Sequence, residues 1–348
     1  MTLTELSYYS RRFAPFALLF FLILLIIYYL IRLLLLTITP PGPPTVYLNP
    51  VFGKIKKPVI NEIESSSNLN FTIDTIEGRP VTASESAKVF FLPQAPTRFG
   101  YREKIYLIAK TFGFDTETIK HRLEGKEAVF LDNNQSLKID ITNFNFTYEF
   151  SFENDPRIFQ NTTSPLKKES EDKAIEFLRE IGRYPEELAQ GKTNTIFISY
   201  DPQAKQMRIL DSNEEANMVE VDFYRPDQEQ YPIVSPNYFN SQNYVMIVFY
   251  QNDFKIIKAQ IKFYEKSTAQ IGTYSIKTGD LAWDRLKTGK GWVIQKQPDS
   301  KDIVIKKMFL GYLDPDVYQE YLQPVYVFLG DMDFVAYVPA IIDDYLTE

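Results

Sequence analysis

From Phe13 to Ile31 the chain carries no charged residue: FAPFALLFFLILLIIYYLI. As a helix rising about 1.5 Å per residue, this run crosses most of a hydrocarbon core roughly 30 Å thick. A soluble core helix is rarely apolar on every face for so long. Arg32 interrupts the run and Leu33 to Leu36 extend it. An arginine near a helix end can reach the interface, and Tyr28 and Tyr29 beside it suit an aromatic belt. The segment 13–36 is therefore expected to span a membrane, with the lipid bilayer as its first partner.

A cleaved secretory signal has a shorter apolar region and a small-residue cleavage site. Here Thr37-Ile38-Thr39-Pro40-Pro41-Gly42-Pro43-Pro44 follows instead, so an uncleaved anchor is expected. Arg11 and Arg12 could signal twin-arginine export, but that signal needs a milder apolar region, and the pair reads better as a charged flank. The positive-inside rule then puts residues 1–12 in the cytoplasm as a short tail and the bulk of the chain outside. Arg32 and the cluster Lys54, Lys56 and Lys57 lie on the other side and oppose this orientation. The expected location is the cell membrane, single-pass, with an extracytoplasmic body.

Beyond the anchor the organisation is α+β. Residues 37–70 read as an extended Pro- and Ser-rich linker: Pro40 to Pro50 is a stiff spacer and Glu62 to Asn70 a polar, mobile stretch. A first unit, 71–165, has a helix at Arg102 to Phe112 with Ile105, Ile108, Ala109 and Phe112 on one face. Strands follow at Ala128 to Leu131, Leu137 to Ile141 and Phe144 to Phe152, with a turn at Asp132-Asn133-Asn134-Gln135. A second unit, 166–270, repeats the plan. Its helix Glu171 to Ile181 is capped by Ser170 and stopped by Gly182. Its strands are Thr195 to Tyr200, Gln206 to Asp211, Met218 to Phe223, Tyr244 to Tyr250 and Lys255 to Phe263, with Asp253 in the last turn. The third unit, 271–348, has a helix at Asp280 to Lys287. Its strands are Trp292 to Gln295, Ile303 to Tyr312, Val325 to Leu329 and Phe334 to Ile341. Helices packed on antiparallel sheets are the expected architecture, with no strict sequence repeat.

The composition excludes several chemistries. There is no cysteine, so disulfides, thiolate metal sites and cysteine nucleophiles are absent. A net charge of -7 without a basic stripe argues against nucleic acid as a partner. The single histidine, His121, lies among basic neighbours in IKHRLEGK and reads as a helix-surface residue rather than a general base. Gly191-Lys192-Thr193 resembles the end of a P-loop. The earlier glycine is missing, however, because Glu186 stands there, and the helix precedes instead of following. Gly289-Lys290-Gly291 reads as a helix stop and turn.

Three acidic pairs, Asp314 and Asp316, Asp331 and Asp333, Asp343 and Asp344, offer oxygens to calcium or paired carboxylates to a glycosidase. The EF-hand pattern is missing, and turn chemistry accounts for Asp314-Pro315-Asp316 and Gly330-Asp331. Asn70, Asn145 and Asn161 each begin an Asn-x-Thr glycosylation pattern. No residue receives a catalytic, cofactor-binding or metal-binding role, no cofactor and no small-molecule substrate is evident, and the chain reads as a non-enzyme.

The C-terminal stretch carries a family resemblance. Ala282-Trp283 with Leu286, Leu310-Gly311-Tyr312, Tyr321-Leu322-Gln323-Pro324-Val325-Tyr326 and the closing strand Phe334 to Ile341 follow a pattern of their own. Over 274–341 the chain resembles the C-terminal region of the YycH/YycI-type regulatory proteins of Gram-positive bacteria, and its small helix-on-sheet units resemble PepSY-like domains. Pro324 is expected at the start of its strand. The resemblance implies regulation: such proteins restrain or tune a membrane histidine kinase through transmembrane and extracytoplasmic contacts. The expected function is therefore a membrane-anchored protein that binds and modulates another envelope protein. The alternative is a structural or surface-binding component of a cell-envelope or appendage assembly.

Overall fold

The computed structural model describes residues 3–38, 47–97, 99–250, 253–298 and 300–347. The chain divides into two compact units, Met1–Tyr47 and Leu48–Glu348. The first contains one helix, Leu3–Ile38. Within it Phe13–Leu34 is long and apolar enough to cross a membrane, and all of its side chains are exposed. The helix begins ten residues before the span, so the expected tail is helical from Leu3.

The second unit is an α+β body built on two large sheets. The first sheet has nine strands, every neighbouring pair antiparallel. Their order is Gln206–Leu210, Lys192–Asp201, Met218–Tyr224, Tyr244–Tyr250, Asp253–Ile261, Phe146–Phe150, Gln135–Asp140, Glu127–Asp132 and Arg122–Glu124. The helices Tyr101–Thr111 and Lys167–Glu180 cover one face. Phe112, just past the first helix, stacks on Tyr148 at 4.0 Å and meets Phe177 of the second edge-on at 5.0 Å. Ile105, Ile108, Ala174 and Leu178 are fully buried in the same core as Val219, Val221 and Ile247. Each such large apolar side chain contributes about 1.5–3 kcal/mol by leaving water.

The second sheet has the order Ile233–Val234, Asp302–Leu313, Tyr321–Gly330, Val335–Pro339, Trp292–Gln295 and Glu64–Ser65. Asn70–Ile73 joins it in parallel with the start of Asp302–Leu313, and Ser86–Phe91 bridges Tyr321–Gly330 to Ile271–Ser275. The helix Gly279–Lys287 packs Ala282 and Leu286 against a core shared with Leu310, Tyr326 and Phe328. Thr278 caps its start, its hydroxyl accepting from the Leu281 amide at 3.3 Å. A two-residue parallel ladder pairs Ile55–Lys56 with Leu346–Thr347.

A buried ionic cluster holds the two sheets to one another. Arg225 follows Met218–Tyr224 of the first sheet and has no exposed side-chain surface. Its Nε lies 2.9 Å from Asp314, which follows Asp302–Leu313 of the second sheet. Arg225 also pairs with Glu187 at 3.3 Å, donates to the Tyr264 carbonyl and stands 4.0 Å from the centre of the Phe263 ring. Lys266 closes the cluster on Glu187 at 2.8 Å. Burial pushes the Asp314 carboxyl up to about 6, against the downward pull of Arg225.

Several local expectations need correction. Residues 48–70 are not a linker: Ile55 is buried, Asn49 bridges to Thr273, and Glu64–Ser65 pairs with Trp292 and Val293. The stretch expected to be mobile is ordered by strands distant in sequence; residues 39–46 lie outside the described residues. Ser170 does not cap its helix. The helix starts at Lys167, and the Ser170 hydroxyl donates back to the Leu166 carbonyl at 2.8 Å from inside the first turn. Pro324 sits inside Tyr321–Gly330, opposite Tyr312, rather than at its start. The missing amide is tolerated because the Ala340 carbonyl that it would have served accepts from the Lys277 amide at 2.6 Å, while the Pro324 carbonyl accepts from Ala340. Asp253 begins a strand instead of sitting in the turn. The strands of 122–150 and 192–261 share one sheet, joined where Asp253–Ile261 pairs with Phe146–Phe150.

Gly191 explains itself by packing. A Cβ there would stand 1.7 Å from the Tyr224 carbonyl oxygen. Gly191→Ala is expected to destabilise the body by at least about 1–3 kcal/mol, read as a lower urea midpoint with unchanged slope. Arg225→Met, which strands Asp314 and leaves Glu187 to Lys266 alone, is expected to cost about 3–5 kcal/mol by the same measurement.

Candidate functional site

The strand Met218–Tyr224 alternates. Glu171 of the covering helix accepts from Thr195 at 2.8 Å, and Thr195 pairs with Val221, so Val219, Val221 and Phe223 face the helices. Glu220 and Asp222 therefore face the other way. Register places Ile196 and Met246 on either side of Glu220, and Asn194 and Tyr244 on either side of Asp222. Glu220, with Tyr244 and Met246, forms part of the floor of a groove of about 590 Å³.

One wall is apolar: Ile196 and Ile198 continue into Met207 and Ile209 on the edge strand Gln206–Leu210. Met207 is 53% and Ile209 77% exposed, unusual for side chains of this size. The other wall is the connection from Ser235 to Gln242, with Asp316 beside it. That connection is pinned at several points. The Ser235 hydroxyl donates to the Asn240 carbonyl and the Ser241 hydroxyl to Phe223, both at 2.7 Å. Gln242 donates to the carbonyls of Lys262 and Pro315 at 3.0 and 3.1 Å. The groove is preformed: rigid strand on one side, hydrogen-bonded loop on the other.

Two carboxylates, Glu220 and Asp316, line it, and Asp222 is fully buried beside Glu220 on the same strand. Burial pushes the Asp222 carboxyl up to about 7, Glu220 adds to the shift, and Tyr224, Asn194 and the Ser241 amide oppose it. Burial raises Glu220 too, with Lys258 pulling the other way. Tyr244 is pushed up to about 12 by burial and by Glu220. An acidic floor beside exposed aliphatic side chains suits a ligand that brings both cationic and apolar groups, such as a polypeptide segment.

A larger cleft, of about 810 Å³, lies beside the start of helix Tyr101–Thr111. Its polar groups are largely engaged in holding the fold. Lys104 donates to the Ile181 carbonyl at 2.6 Å, Arg183 to the Asn145 side chain at 2.6 Å, and Asp140 accepts from the amide and hydroxyl of Thr142.

The residues singled out from the sequence are dispersed. His121 is not on a helix. It precedes the edge strand Arg122–Glu124, with Nδ1 3.1 Å from the Tyr106 hydroxyl and its ring against Phe130. Burial lowers its pKa, with Arg102 adding to the effect. Lys192 and Thr193 lie in a strand, where Thr193 donates to Glu171 at 3.3 Å and Lys192 pairs with Asp227 at 3.4 Å. Of the acidic pairs, Asp314 is in the buried cluster, Asp316 lines the groove, and Asp331 accepts from the Val304 amide at 3.2 Å. Met332 and Asp333 form a turn with positive φ, and Asp343 pairs with Lys277. Among the described residues no group of three or more His, Asp and Glu side chains could hold a metal ion. Asn145 is 3% exposed and hydrogen-bonded, so its Asn-x-Thr pattern is closed to modification in the folded body; Asn70 and Asn161 are exposed. Glu220 and Asp222 escaped the sequence reading, although two acids at alternate positions of an otherwise apolar strand were a visible signal.

No family model matches the chain, and no curated protein matches it. Among solved structures it is similar to an uncharacterized protein from Eubacterium rectale ATCC 33656, at 14% identity and a TM-score of 0.39. That match covers 78% of this chain and 89% of the other. It is also similar to the Bacillus megaterium YpeB C-terminal domain, at 11% identity and a TM-score of 0.28, covering 72% of this chain and 95% of that one. Likeness at this level carries no conclusion about site or activity.

The Asp222 carboxyl binds a proton in the folded body that the unfolded chain has released, since its usual value is near 4. Stability should therefore fall as pH rises from about 4 to about 7. Asp222→Asn is expected to flatten that slope and to raise stability at pH 8 by about 2–4 kcal/mol, measured as urea midpoints across the range.

Proposed function

We propose that this chain is a single-pass membrane protein whose body lies outside the cytoplasm and binds another envelope protein, whose activity it modulates. The observation that carries the reading is the helix Leu3–Ile38, with Phe13–Leu34 apolar on every side save at Arg32 and exposed throughout. In water such a surface is costly; in lipid it is the ordinary state of a span. Arg11 and Arg12 flank the span at its N-terminal end and favour the cytoplasm for that end. The groove supplies the binding surface: its acidic floor, pinned loop and exposed Met207 and Ile209 are the features of a recognition face. The resemblance over 274–341 to YycH/YycI-type proteins favours a membrane sensor kinase as the partner.

The full chain is expected to remain with membranes after carbonate washing. Protease added to spheroplasts should digest the body while leaving a fragment of about the anchor's size. A freely soluble full chain, or a body protected in intact spheroplasts and cleaved only after lysis, would sink the reading. Ile209→Asp changes an exposed side chain, so the stability read from urea unfolding should change by no more than about 0.5 kcal/mol. Site-specific cross-linking from position 207 should capture a membrane protein, and Ile209→Asp should remove at least nine-tenths of that capture.

A further inference from the structure

The nine-stranded sheet has two ends, and they are finished differently. Arg122–Glu124 is three residues long, and Arg122 pairs with Glu124 along it. A short, charged edge is a poor template for another chain. The opposite end, Gln206–Leu210, has five residues, no proline and an unbroken register with its neighbour Lys192–Asp201. All but Leu210 are exposed. Among the described residues no strand or isolated bridge lies on its outer side. Alternate residues of an edge strand turn their N–H and C=O groups outward, so this end offers a row of main-chain donors and acceptors.

The side chains on this edge alternate. Met207 and Ile209 stand on the groove side and are exposed. Arg208 stands on the other face, opposite Ser199. It is exposed and makes no ion pair among the described residues. Asp201, on the neighbouring strand, accepts through Oδ1 from the amides of Gln203 and Ala204 and so serves the turn. A strand added here meets apolar, cationic and apolar side chains in turn. A second copy of this chain fits that pattern badly. Laid antiparallel so that all five residues pair, Met207 faces Ile209 and Arg208 faces its own copy, and like charges directly opposite are destabilising. Charge complementarity selects a different occupant, with a carboxylate opposite Arg208 between two apolar residues.

We propose that Gln206–Leu210 is completed by an extended segment of another polypeptide, paired along its outer edge, with an acidic side chain opposite Arg208 and apolar side chains opposite Met207 and Ile209. Main-chain hydrogen bonds hold the segment, and its alternate side chains select it. The two apolar side chains extend the wall that Met207 and Ile209 form for the groove. The proposal rests on the reading that a partner binds at this groove, and adds the mode of contact and the chemistry of the bound segment.

The test uses the full chain in neutral detergent and two labelled, acetylated peptides of nine residues. One has valine–glutamate–valine at its centre and the other valine–arginine–valine, each between alternating threonine and serine. Anisotropy of the label reads binding, and amide hydrogen exchange reads its place. The glutamate peptide is expected to bind saturably and to slow exchange at alternate amides of 206–210 at least about tenfold. The arginine peptide should bind at least about fivefold more weakly. Arg208→Glu changes an exposed side chain and should reverse that order. Methylating every second amide nitrogen of the glutamate peptide should abolish binding in one phase and spare it in the other, because only one side of an added strand pairs. Three results overturn the proposal: no slowing over 206–210 with either peptide, an unchanged order in folded Arg208→Glu, or slowing that follows protein concentration without peptide, which means a second copy on the edge. If cross-linking from position 207 still captures a membrane protein, such a result leaves the proposed function standing. Peptide pairing without that capture would count against the function and not against the edge.

Discussion

The body depends on a charge that water cannot reach. Arg225 is enclosed where the two sheets meet, and its partners come from elements far apart in the chain: Glu187 from a short helix of the first half, Asp314 from the end of a strand in the second. Desolvating a guanidinium is expensive, and here Glu187, the Tyr264 carbonyl and the charge of Asp314 offset it, the 2.9 Å contact with Asp314 being an ion pair without hydrogen-bond alignment. Phe263 beneath it and the Tyr264 carbonyl beside it complete the enclosure. An apolar contact would tolerate sliding between the sheets; this cluster admits one arrangement. The loop Ser235 to Gln242 runs across the same junction, so the wall of the acidic groove inherits its position from the cluster.

Charge is also sorted by place. The face of the first sheet turned from the helices is acidic, with Glu220 and Asp222 next to aliphatic residues. The pocket at the end of the second sheet is basic, with Lys277 and Arg285 sharing Asp343. A net charge of -7 hides this division, because a sum over the chain says nothing of which side chains converge.

Where local pattern decides structure, the reading from residues succeeded. Tyr244–Tyr250 is a run of apolar and aromatic residues long enough only for a strand, and it is one. The helix Tyr101–Thr111 follows the spacing of Ile105, Ile108 and Ala109. Where pairing is remote, the residues were silent. Glu64–Ser65 has no strand character of its own and is ordered by Trp292 and Val293. Ser170 resembled a cap because the true first turn, Lys167-Lys168-Glu169, is wholly polar and hid the start of the helix. The site was less legible than the fold. Alternate acids in Met218–Tyr224 could be seen, but Arg225 meets Asp314 only through the tertiary arrangement, and the gathering of Lys57 with Lys290 has no trace in sequence spacing.

The parallel ladder between Ile55–Lys56 and Leu346–Thr347 ties the first strand of the body to its last. Ile55, Val89, Tyr274, Ile341 and Leu346 share one small core beneath it. A ribosome makes these partners nearly three hundred positions apart, so the early strand must wait, apolar side unprotected, until Leu346–Thr347 has been made. That early strand would therefore stay open to chaperones and proteases while the intervening residues emerge, and its pairing with Leu346–Thr347 would close as a late clasp.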